Sequence, residues 1–179
     1  VESLNLSPMG AIIPARPTGR VYDAPFLPRL TEEGQRHPVT AGLTGAPVAG
    51  SDNHWGRWLR MSQVIPDPLA QVVMTGVDDQ PLLILNRVGK GRVALLTSDQ
   101  VWLWGRGFEG GGPQLELLRR IAHWSMQEPD LEEEALLADV TGDLSVTITR
   151  RSMDKVAGPV KITHPDGKTE DLALTEAGP

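Results

Sequence analysis

Cysteine is missing altogether from the 179 residues. That excludes disulfides, thiolate metal sites and a thiol nucleophile at once, and it leaves the cellular compartment open. Positive charge is also scarce: 17 Lys and Arg against 23 Asp and Glu give a formal charge of −6, where a nucleic-acid surface needs a basic footprint. No run of eighteen apolar residues occurs, so this stretch does not insert into a membrane as a spanning helix. The start, VESLNLSPMGAIIPARP, has neither the basic region nor the small-residue cleavage site of a signal peptide. It has no initiator Met either, so the chain reads as a piece of a longer protein. Aromatics are few, yet five are Trp against two Phe and one Tyr. Trp55 and Trp58 form a Trp-x-x-Trp pair, and Trp102 and Trp104 a Trp-x-Trp pair.

What is present concentrates between residues 71 and 129. Residues 71–75 (QVVMT) and 82–87 (LLILNR) are apolar runs of strand length separated by a Gly-Val-Asp-Asp-Gln turn. A third run, 92–97 (RVALLT), follows through Val88-Gly89-Lys90-Gly91-Arg92, which reads as a hairpin because Gly takes φ > 0 without a Cβ penalty. The third run barely alternates, which implies a central strand covered on both faces, as in a layered α/β sheet. Gly112-Pro113 opens a helix. Its apolar stripe is expected at Leu115, Leu118, Ala122 and Ser125, widened by Ile121 and Trp124. Glu116 and Arg120 are spaced for an i,i+4 pair, and Glu128-Pro129 ends the helix.

The flanks differ. Residues 1 to about 60 are rich in Pro and Gly and read as extended segments. After Leu131-Glu132-Glu133-Glu134, whose acids are expected to be solvated, the runs 144–149, 160–163 and 172–175 alternate polar and apolar. Turn signals at 141–143 and 164–167 separate them at the spacing of a β-sandwich. Three strands are too few to close one. The reading is therefore an α/β domain over 1–130 and the beginning of an Ig-like β domain over 131–179. The tail strands are expected either to pack back on the first domain or to self-associate, a symmetric homodimer being the commonest solution.

The block GKGRVALLTSDQVWLW…GGGPQLELLRRIAHW, with the earlier HPVTAGL at 37–43, resembles the carboxyl half of class I glutamine-amidotransferase-like domains, ThuA-related forms included. These occur in large bacterial membrane-anchored proteins of unknown function. The resemblance covers about residues 30–136. It implies the carboxyl half of a flavodoxin-like layered α/β domain. It also implies a place in the bacterial cell envelope, on either face of the membrane, and the other domains of the parent chain as partners. Active members use a Cys nucleophile and a His-x-Glu pair. Here Ser98-Asp99-Gln100 stands where the His-x-Glu would fall, so no catalytic residue carries over. The leading reading is a non-catalytic structural or interaction module.

Candidate site residues lie where the third run ends, because open α/β sheets collect ligands at the carboxyl ends of strands. Asp99 could serve as a base or ligand group, or cap the loop and pair with Arg106. Ser98 lacks a Gly-x-Ser-x-Gly elbow. Trp102, Trp104 and Phe108 could line a groove, although packing, with alternate residues outward, is the expected fate; Trp102 in particular is expected to be a core residue. Gly110, Gly111 and Gly112 precede a helix and suggest an anion nest, without the Lys and Ser/Thr of a phosphate loop. A hydrolase of the ThuA-like type would need Asp99 with His37 or His54; a sensor of small anions or sugars would use Gly110–Gly112. His37, His54, His123 and His164 have no metal-ligand spacing, and no motif calls for a cofactor.

Overall fold

A computed structural model describes residues 7–46, 54–140, 142, 145–153 and 158–175. The chain divides into two compact units, Val1–Glu132 and Glu133–Pro179.

The first unit is mixed α/β. In chain order it contains β1 (Ala15–Tyr22), β2 (Arg29–Leu30), α1 (Glu32–Arg36), β3 (Met61–Pro66), β4 (Gln71–Thr75), β5 (Pro81–Val88), β6 (Gly91–Leu96), α2 (Trp102–Gly105) and α3 (Gln114–Ser125). Four strands form a sheet in the order β2-β4-β5-β6, while β1 and β3 form a separate two-stranded sheet. Every ladder in both is antiparallel. The Gly89-containing turn does close a hairpin, pairing Val88 with Gly91 and running in regular register to Leu83 and Leu96. The turn between β4 and β5 uses Asp78 and Asp79 at φ of 48° and 57°, a region that Asp tolerates better than most residues.

Side-chain alternation explains the layers. Ile84, Val72 and Leu95 project to one side and pack with Ala15 of β1 and Val64 of β3. Leu83, Leu85, Val73, Ala94 and Leu96 face the larger core with the tryptophans and Leu117. The strand covered on both faces is thus β5, whose residues 82–85 are fully buried, and not β6. β6 lies at the sheet edge and is partly exposed along its length. Both runs are equally apolar, so composition cannot rank them; only the pairing order does.

The helix stripe also differs from expectation. α3 buries Leu117 and Trp124 with Ile121 against the core, whereas Leu115 is 83% and Leu118 41% exposed. Trp124, the largest side chain, sets which face turns inward. Pro113 sits just ahead of the helix as its N-cap.

Among the described residues, the second unit contains two antiparallel hairpins, β7 (Ala135–Val140) with β8 (Val146–Arg151) and β9 (Val160–Thr163) with β10 (Thr169–Leu172). The strand at 135–140 has no counterpart in the sequence reading, and the last strand lies three residues earlier than the 172–175 run. Of the expected turn at 141–143 and strand from 144, residues 141, 143 and 144 lie outside the described residues. The acids at 132–134 are not simply solvated: Glu132 is ion-paired to Arg87 and Arg92, Glu133 is buried, and Glu134 accepts from the Ser152 hydroxyl and the Met153 N–H.

Candidate functional site

Residues 97–99 leave β6 beside the start of β3, held there by Ser62 N–H donating to the Thr97 carbonyl (2.8 Å). Between β6 and the β1–β3 sheet runs a groove of about 480 Å³. Ile13, Pro17, Val64, Leu95 and Leu96 give it apolar walls, and Arg60, Ser98 and Asp99 lie at its polar end. The expected strand end therefore does border a cavity, but its polar groups are occupied. The Ser98 hydroxyl donates to the Arg60 carbonyl (2.6 Å) and accepts from Gln100 N–H. The Thr97 hydroxyl donates to the Pro81 carbonyl (2.9 Å). Among the described residues neither oxygen is hydrogen-bonded to a His, Asp or Glu side chain. Asp99 is exposed and does not pair with Arg106; the nearest expected cation of that loop, Arg106, is exposed as well. The loop is held by Gln100, whose side chain accepts from Leu59 N–H.

His37 does not reach this groove. It is fully buried at the C-terminus of α1, in edge contact with Trp124 at 6.0 Å. Burial above all pushes its pKa down to about 4; Arg87 and Arg92 add to the drop and Glu33 opposes it. Val39 N–H donates to its Nδ1 (3.2 Å), which requires that nitrogen to be unprotonated. Arg92, the second residue of β6, lies over the Trp124 ring at 5.2 Å. From Arg92 to Thr97 the strand rises on the order of 17 Å, so His37 and Asp99 belong to opposite ends of β6. The HPVTAGL segment serves packing: Val39 and Leu43 are core residues, the Thr40 hydroxyl donates to the Gly34 carbonyl, and Arg120 donates to the carbonyls of Pro38 and Ala41 while paired with Glu116.

The tryptophans split. Trp104 is buried at the centre of an aromatic cluster, 5.0 Å from Trp55 and 4.8 Å from Trp58, and its indole N–H donates to the Gly56 carbonyl (2.7 Å). Trp102, expected in the core, is 53% exposed; one helical turn cannot bury both residues of a Trp-x-Trp pair. Phe108 packs against the cluster from its margin.

The Gly110–Gly112 run is shaped by the same cluster, and two of its three N–H groups are spent on backbone carbonyls. Gly110 N–H donates to the Gly107 carbonyl and Gly111 N–H to that of Phe108, while the Gly111 carbonyl accepts from Gly56 N–H. A Cβ on Gly112 would enter the Trp104 ring, and one on Gly56 would meet the Phe108 carbonyl. The Arg57 guanidinium donates to both carboxylate oxygens of Glu109 at 2.7 Å, and this bond holds the Glu109 carboxyl below the usual range. Sequence reasoning missed this clamp, although the Trp55-Gly56-Arg57-Trp58 string carries its donor. His54 is exposed beside it, its Nδ1 3.2 Å from the Trp55 carbonyl. His123 pairs with Glu128 (2.6 Å) and His164 with Glu170 (3.4 Å). Among the described residues, no three His, Asp or Glu side chains come together to hold a metal ion, and no helix is long and apolar enough to cross a membrane.

No family model matches the chain, and no curated protein does. Among solved structures, the cytoplasmic protein STM3548 from Salmonella typhimurium is similar, with a TM-score of 0.55 and 18% identity over 69% of this chain. The match covers 47% of that protein, so the chain spans about half of it. At this identity the likeness concerns the fold, which is mixed α/β.

Proposed function

We propose that this chain is a non-catalytic, amidotransferase-like structural or interaction module of a larger, membrane-anchored bacterial envelope protein, with other domains of that parent as its partners. In this reading the first unit corresponds to the carboxyl half of a layered α/β domain, and the second begins an Ig-like β domain. One observation carries the proposal: at the strand end where chemistry would be expected, both hydroxyls donate to backbone carbonyls, and among the described residues neither is hydrogen-bonded to a His, Asp or Glu side chain. Acyl-transfer chemistry needs a nucleophile within hydrogen-bond reach of a base, with that base oriented by a third group. The hydrolase alternative loses support in its His37 form because His37 lies at the far end of β6, and the sensor alternative because the Gly110 and Gly111 N–H groups donate to backbone carbonyls.

The test is direct. Purified protein incubated with glutamine should release no ammonia above a buffer blank. Release that persists through purification and disappears in Asp99→Ala would overturn the proposal.

A further inference from the structure

The two edges of the four-stranded sheet are built differently. On one side β2 is only two residues long and runs straight into α1, and its neighbour β4 pairs with β5 through register shifts at Val72 to Thr75. Short strands and bulges are how proteins keep an edge from pairing with another chain. On the other side β6 is six residues long, in unbroken register, without Pro or Lys.

Which backbone groups β6 presents outward follows from its ladder. Thr97 N–H donates to the Leu82 carbonyl, while its own carbonyl turns to Ser62 N–H; residues 95 and 93 therefore point their N–H and C=O groups at β5, and antiparallel alternation turns those of Leu96, Ala94 and Arg92 away. Among the described residues no backbone group meets these outward ones.

We infer that the β6 edge pairs with β6 of a second copy of this chain, antiparallel about a two-fold axis at Ala94, joining two four-stranded sheets into one. The strand is self-complementary in that register. Ala94 faces Ala94 at the axis, a small residue in a hydrogen-bonded pair whose Cα atoms stand about 5.5 Å apart. Val93 faces Leu95 and Arg92 faces Leu96, so cross-strand neighbours on one face are both apolar. All three outward residues fall in hydrogen-bonded pairs. The two Arg92 charges, each neutralised by its own Glu132, stand four residues apart, about 13 Å, beyond the screening length of roughly 8 Å at physiological salt. A closed two-fold contact of this kind is the commonest form of homo-oligomer.

This pairing rests on the reading of the chain as an interaction module, and its test is separate from the glutamine assay. Sedimentation of the full chain across a concentration series should show a dimer. Hydrogen exchange read amide by amide should show Arg92, Ala94 and Leu96 slowed at least tenfold in the dimer relative to diluted monomer, with Val93 and Leu95 protected in both. Ala94→Pro deletes one outward N–H and spares the inward ladder, so it should be monomeric. A chain that stays monomeric overturns the inference and leaves the module reading standing. So does a dimer whose three outward amides exchange as in the monomer, or an Ala94→Pro variant that still dimerises. Should Ala94→Pro fail to fold, the exchange pattern of the unaltered chain decides.

Discussion

The two ends of β6 make an instructive pair. At its carboxyl end lie Ser98 and Asp99, the polar residues that stand out in the sequence, beside an open groove. There the hydroxyls are spent on backbone carbonyls and the carboxylate is in water. At its amino end, Arg92 is almost fully buried, stacked on Trp124 and bonded to Glu132, with a buried, neutral His37 across the ring. The strongly perturbed histidine is therefore at the end without a described cavity. Perturbed groups often mark function when they line a cleft; away from one, the same displacement reports burial, and His37 is a packing residue of the α1–α3 junction.

Four measurements can break or sharpen this contrast. The largest effect belongs to the aromatic cluster beyond the carboxyl end. Trp104→Ala should lower stability by about 4 kcal/mol in chemical denaturation, since it empties a packed site and strands the Gly56 carbonyl. Trp102→Ala in parallel should cost no more than about 0.5 kcal/mol. Equal losses would mean that the two residues share one environment.

The amino end should reveal itself through pH. The folded pKa of His37, about 4, lies below the ordinary 6.5. Above pH 6.5 the folded and unfolded states are both neutral there. Between about 6.5 and 4 only the unfolded chain binds the proton, so stability should fall as the solution is acidified, by up to about 3 kcal/mol at 1.4 per pKa unit. Below about 4 this contribution levels off. Imidazole titration by NMR should place the His37 midpoint near 4, and a midpoint near 6.5 would dissolve the contrast.

A smaller effect comes from the ion pair. Glu132→Gln should cost about 2 kcal/mol, because it leaves the buried Arg92 guanidinium with a weaker partner. Direct hydrogen bonds from Arg92 and then Arg87 hold the Glu132 carboxyl below its usual range. That part of the stability is present above the ordinary carboxylate pKa and is lost as pH falls through the lowered one. The smallest effect belongs to the other end: Asp99→Ala should change stability by no more than about 0.5 kcal/mol.

How far the sequence could be read follows the range of the interactions. The β5–β6 hairpin and the turn before β5 were legible because apolar runs and Gly or Asp turns act within a few residues. The helix over 114–125 was legible too, but not its buried face. Leu115 and Leu118 fit the 3–4 spacing as well as Leu117 and Trp124 do, and the choice is made by β6 and His37, remote in sequence. β3 was missed because Met61–Pro66 alternates weakly and takes its partner from β1, about forty to fifty residues away. The loop singled out at the end of β6 borders a groove. The hydrogen bonding of its hydroxyls depends on carbonyls of Arg60 and Pro81 that no local pattern announces. The Arg57–Glu109 clamp spans 52 residues and left no signal beyond its two tryptophan neighbours.

Glu132 has one more consequence. It is the last residue of the first unit, and its carboxylate is gripped by Arg87 on β5 and Arg92 on β6. In mechanical terms it is a cleat. Tension arriving along the chain from residue 133 is taken up by two adjacent strands of the sheet before it can peel α3 from the core.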